Sequence, residues 1–159
     1  MIVAFRQALA TDADIVRQLA RASAASITDA QTQTTVEIER QFFSNEFDPE
    51  NSALLHVGGN AVGFVRLFVS NVHIVVNQLA IAPAFQSNGF GGDALAQLQE
   101  RWQGAGLTAS TTVPKSRRAR VFFERAGFAY AGGGAAYDTL IWSNADQLGG
   151  NSNPSDGRD

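Results

Sequence analysis

The sequence contains no cysteine. Disulfides, thiolate metal sites and cysteine nucleophiles are excluded with it. Its two histidines, His56 and His73, lie far apart and no HExxH pattern is present, so no metal site is expected. Cations are few: 12 Lys+Arg stand against 15 Asp+Glu, for a net charge of −3. Phosphate backbones are held by clustered cations, so nucleic acid is an unlikely partner. No window approaches the ~18 consecutive apolar residues that would span a membrane. The first residues lack a basic region followed by a long apolar core, which points to a cytoplasmic protein without membrane partners.

What remains is ordinary globular material. Of 159 residues, 45% are hydrophobic and 17% charged, enough for one domain with a real core. The domain is expected over residues 1–143. Residues 144–159 (NADQLGGNSNPSDGRD) carry almost no apolar side chains and read as a polar C-terminal tail.

The pattern predicts a first strand over 2–5 and a helix beginning near Thr11 or Asp12, with Ile15, Val16, Leu19 and Ala20 at helical spacing. A polar loop over 26–34 and a second helix over 35–44 follow. Apolar runs at 53–57 and 61–69, joined by Gly58-Gly59-Asn60, predict a β-hairpin. Residues 72–82 form a long strand ending at Pro83. Both its alternating faces are largely apolar, which predicts a central strand covered on both sides. A helix is expected over 93–102, a strand over 107–113 stopped by Pro114, and a helix over 116–126 closed by Gly127. Two last strands surround Gly132-Gly133-Gly134. The class is α+β: a mixed central sheet of six to seven strands, mostly antiparallel with one parallel crossover, and helices on both faces.

The stretch 77–101 organises the rest. A strand, a loop with Gly89, Gly91 and Gly92, and a helix follow one another. A glycine-rich turn entering a helix aims free backbone N–H groups at one point, and the helix dipole adds to their attraction for an anion.

Two segments here resemble the GNAT superfamily of acyl-CoA-dependent N-acetyltransferases. In LAIAPAFQSNGFGGDAL, Leu79, Ile81 and Pro83 match the family's strand end, and Gln86, Gly89 and Gly91 its loop. In SRRARVFFERAGF, Ala119, Phe122, Glu124, Gly127 and Phe128 match the family's late helix. The resemblance implies acetyl-CoA as co-substrate. Its pyrophosphate would lie on Gln86, Ser87, Asn88, Gly89, Phe90, Gly91 and Gly92. Its pantetheine arm would pair along Leu79, Ala80 and Ile81, with Ser116 standing where the family has an asparagine. Lys115, Arg117 and Arg118 could meet the 3′-phosphate. Asp93 suits the helix dipole but opposes a phosphate.

For catalysis the resemblance implies direct attack of an amine on the thioester. The family's acid tyrosine is replaced by Phe123, and the central strand carries no Asp or Glu. Its polar residues are His73, Asn77 and Gln78. His73 lies about 20 Å before Leu79, at roughly 3.3 Å per residue, too far to act. Asn77 is the remaining catalytic candidate and would position a water. The expected function is N-acetylation of a primary amine, on a small molecule or a peptide. The alternative is a catalytically degenerate member that serves as a binding or structural component, and a homodimer or larger assembly is compatible with both.

Overall fold

A computed structural model describes residues 2–27 and 48–143. The helix expected over 35–44 and the tail expected over 144–159 lie outside the described residues. Seven strands form one sheet: β1 (Ala4–Gln7), β2 (Ser52–Val57), β3 (Asn60–Val69), β4 (His73–Ile81), β5 (Thr108–Pro114), β6 (Ala129–Gly133) and β7 (Tyr137–Trp142). Their order is β1-β2-β3-β4-β5-β7-β6. Every neighbouring pair is antiparallel except β4 and β5. That parallel pair is the crossover predicted from the strand-loop-helix-strand order.

Three helices cover the sheet among the described residues: α1 (Ala13–Ile27), α2 (Phe90–Ala105) and α3 (Arg117–Arg125). α1 lies on one face, where Val16, Leu19 and Ala20 pack on Leu54, Phe64 and Ala80. α2 buries Ala94, Leu95, Leu98 and Trp102 on the other face, beside Ile74, Val76 and Ala109. Gly106, at φ 72°, ends α2 in the left-handed conformation that glycine adopts without steric cost. Trp102 then meets Trp142 of β7 edge to face at 5.8 Å.

Two of the expectations for the β4–α2 unit change. α2 begins at Phe90, three residues before the expected start, because the glycine loop itself supplies the first turn. β4 is not covered evenly on both sides. Ile74 and Val76 are buried, but Val75 is exposed. Nor does its alternation persist. Arg66 of β3 pairs with Gln78 and Leu67 with Val76, so Asn77 is an extra residue, a β-bulge. After it, Leu79 and Ile81 join the α2 face and Ala80 the α1 face. The two faces expected from strict period two therefore exchange at Asn77.

Candidate active site

The parallel pairing of β4 and β5 covers four residue pairs, from His73 with Thr108 to Val76 with Thr111. Beyond Val76 the bulge bends β4 away and the two strands part. The Thr111 hydroxyl closes the fork by donating to Val76 O at 2.9 Å. Above the fork a cleft of about 740 Å³ opens, running up to the start of α2 and bounded on one side by α3.

One wall of the cleft is the edge of β4, which has no neighbouring strand beyond Val76. Ala82 N–H donates to Val62 O on β3 at 2.8 Å. Strand alternation then turns the N–H and C=O groups of Leu79 and Ile81 the other way, into the cleft. The Gln86 side chain, donating to Ile81 O at 2.8 Å, meets that edge from the same side.

The upper end of the cleft is the glycine loop. Ser87, at φ 67°, and Gly89, at φ 79°, are both left-handed. For a serine this costs of order 1–3 kcal/mol, and such strain collects at functional loops. The turn delivers the chain into α2, whose first bond runs from Asp93 N–H to Gly89 O at 2.9 Å. The N–H groups of Phe90, Gly91 and Gly92 precede that bond and have no partner within the helix. Gly91 lets the helix sit against Phe122, because a Cβ there would come within 3.2 Å of the ring.

Of the residues predicted for the site, Asn77, Leu79, Ile81, Gln86, Ser87, Gly89, Phe90, Gly91 and Gly92 all line the cleft. Ala80, Asn88 and Ser116 do not. Ala80 is fully buried, paired with Phe64 and packed against α1, because the bulge sends it to that face. Asn88 folds back on the loop, its amide donating to Phe85 O and Gln86 O. The Ser116 hydroxyl is the N-cap of α3 and accepts from Ala119 N–H at 3.4 Å.

The expected conflict between Asp93 and a phosphate does not arise. Its carboxylate points to the amino-terminal segment, where it accepts from Val3 N–H at 2.8 Å and from Gln97 at 3.1 Å. The three cations expected to meet the 3′-phosphate divide. Lys115 pairs with buried Asp138 at 3.3 Å, Arg117 is exposed, and Arg118 donates to Gln86 Oε1 across the cleft mouth. His73 is held at the closed end of β4 by Thr108 at 2.7 Å and Ser110 at 2.8 Å, a structural role.

The resemblance places Phe123 at the family's acid position but puts none of Ala119, Phe122 and Ala126 in the site. Ala119, Phe122, Phe123 and Ala126 line the cleft together with Thr112 and Val113 of β5. The helical spacing of Ala119, Phe122, Phe123 and Ala126 was the available signal, but only packing shows which neighbour that stripe faces. Phe123 is buried and makes edge-to-face contacts with Phe122 at 5.0 Å and Phe128 at 5.2 Å. Among the described residues lining the cleft, the charged ones are Arg118 and Arg125. The site can therefore bind an anion, pair an extended ligand and donate hydrogen bonds, but these side chains offer no carboxylate or imidazole as base.

Among solved structures the chain is similar to the PaiA N-acetyltransferase of Thermoplasma acidophilum, determined in complex with coenzyme A. Identity is 15%, over 90% of this chain and 99% of that one, with a TM-score of 0.71. It is also similar to an acetyltransferase from Thermus thermophilus, at 21% identity over 90% and 97% of the chains and a TM-score of 0.64. The ribosomal-protein-S18-alanine N-acetyltransferase of Escherichia coli matches at 19% identity over 88% and 91%, with a TM-score of 0.58. Identities this low speak for the fold alone. Comparison with curated protein sequences finds no significant match. The family model for the acetyltransferase (GNAT) family matches residues 16–128, a span that holds the bulged strand, the glycine loop and α3. The chain belongs to the acetyltransferase (GNAT) family.

Proposed function

We propose that this chain transfers an acetyl group from acetyl-CoA to a primary amine by direct attack, within a domain formed by residues 1–143. One observation carries the reading: a strand edge without a neighbouring strand beyond Val76 and the open N-terminus of a helix face the same cleft. The pyrophosphate would take the N–H groups of Phe90, Gly91 and Gly92, where a helix start favours negative charge. The pantetheine amides would pair with Leu79 and Ile81 as an added strand. The acetyl thioester would then reach the fork beside Asn77.

The amine attacks the carbonyl carbon, the C–S bond breaks, and the products are an N-acetyl amine and coenzyme A. Among the described cleft residues none is an acid or base suited to neutral pH, so the proton leaves through water or a second amine. Phe123 has no proton to give the departing thiolate. That same observation favours a second reading, a catalytically degenerate member that serves as a binding or structural component of a larger assembly.

Calorimetric titration with acetyl-CoA tests the binding step. Micromolar affinity is expected, lost on Gly89→Val, since the left-handed φ of 79° excludes a branched side chain. No heat at millimolar ligand would sink the acetyltransferase reading and favour a structural component. Binding without thiol release across a panel of amines would select the degenerate member.

A further inference from the structure

Asn77 is the extra residue of the β4 bulge, and it lines the cleft at the fork. Arg66 of β3 donates from Nε to Asn77 Oδ1 at 2.8 Å. A guanidinium has donors only, so the atom it meets must be the carboxamide oxygen. The orientation of the amide is thereby fixed by chemistry. Nδ2, with two N–H donors, lies on the other side, and among the described residues nothing accepts from it. Arg66 is itself immobilised, only 8% exposed, with its guanidinium 6.0 Å from the centre of the Phe68 ring. Burying a cation is costly, and here it holds one amide of the cleft in one orientation.

Resting on the acetyl-CoA reading above, we infer that Asn77 Nδ2 donates to the thioester carbonyl oxygen and that Arg66 is the positioning residue that aims it. Asn77 lies four positions before Ile81, about 13 Å at roughly 3.3 Å per residue. A ligand anchored at α2 and paired along Leu79 and Ile81 ends there. When the amine nitrogen forms its bond to the carbonyl carbon, the π electron pair moves onto that oxygen. Collapse restores C=O, breaks C–S and leaves the pair on sulfur. The ammonium proton passes to water, and water protonates the thiolate. Asn77 changes no protonation state. It stabilises the oxyanion, which matters more in a site where Phe123 cannot assist the leaving group.

The test needs no knowledge of the natural acceptor. Acetyl-CoA carrying ¹³C at the carbonyl is bound to the full chain, and its C=O stretch is read by isotope-edited infrared spectroscopy. The stretch is expected at lower frequency in the wild type than in Asn77→Ala, with Arg66→Met between them and Arg66→Lys close to wild type. Affinity for acetyl-CoA should fall by about tenfold at most in Asn77→Ala, the worth of one neutral hydrogen bond, and stay near the wild-type value in Arg66→Lys. With water as acceptor, slow thiol release should fall about 100-fold in Asn77→Ala and in the similarly shaped Asn77→Leu, which offers neither donor nor base, the size typical of a lost oxyanion donor. Arg66→Met should add little in the Asn77→Ala background, because it acts through that amide. Equal C=O frequencies in wild type and Asn77→Ala would overturn the inference. So would an Arg66→Met effect of the same factor with and without Asn77. If Arg66→Met does not fold, the two Asn77 variants decide alone. Failure of the wild type to bind acetyl-CoA removes the underlying reading, and the inference with it, before any variant is compared.

Discussion

Gly91 and Phe122 meet across the head of the cleft with no room for a side chain between them. A Cβ on Gly91 would lie 3.2 Å from one ring carbon of Phe122 and 3.4 Å from Ile81. The neighbouring Gly92 differs, since a Cβ there meets nothing within 4 Å. Gly91→Val is therefore expected to overpack and lose about 1–3 kcal/mol. Gly92→Ala should instead stabilise the free protein by up to about 1 kcal/mol, through helix propensity in the first turn of α2. Urea denaturation of the two variants checks the contrast, and equal behaviour would show that the ring simply moves aside.

Asp93 ties α2 to the first segment of the chain through Val3 N–H. Val3 is buried, so Asp93→Ala leaves a backbone donor without a partner. A loss of about 1–3 kcal/mol is expected. Because the carboxylate faces away from the loop, acetyl-CoA affinity should hold or rise slightly. A calorimetric titration showing weaker binding would mean that Asp93 shapes the loop rather than anchoring Val3.

Phe123→Tyr places a phenol, with an ordinary pKa of about 10, on the wall of the cleft. If thiolate departure limits turnover, kcat should rise while acetyl-CoA affinity stays constant. The gain should then disappear as pH rises through the phenol's pKa. A rate unchanged at every pH would show that the leaving group does not wait for a proton.

Asp12 accepts from Arg6, with which it also pairs at 3.0 Å, and from Leu9 N–H at 2.8 Å. The Arg6 hydrogen bond, then that of Leu9, hold its carboxyl below its ordinary pKa of 3.8. A carboxyl depressed in the folded state stabilises above its unfolded pKa, and that contribution disappears as pH falls through the folded value. The wild type should therefore exceed Asp12→Asn in stability near neutrality, and the difference should close below pH 3.8. Thermal midpoints of the two proteins from pH 7 downward would reveal it. A difference that persists in acid would place the effect in packing.

The sequence by itself determined most of the element order and the location of the loop. Apolar periodicity, Pro83, Pro114 and the glycines near helix ends act over a few residues, so their meaning survives without a partner. The family could be read the same way, because Gln86, Gly89 and Gly91 work through local backbone geometry. What period two could not carry was the bulge. Whether Asn77 pairs with β3 or loops out depends on the register of Arg66 and Gln78 across the sheet, and the hydrophobic pattern of β4 alone is indifferent to it. From that one residue follow the burial of Ala80, the turn of Leu79 and Ile81 toward α2, and the parting of β4 from β5 into a cleft. The direction of Asp93 was equally hidden, since its partner Val3 lies 90 residues away. Tertiary structure decided these points because each is a contact between segments distant in the chain, and a strand's free edge exists only by virtue of the neighbour that is missing from it.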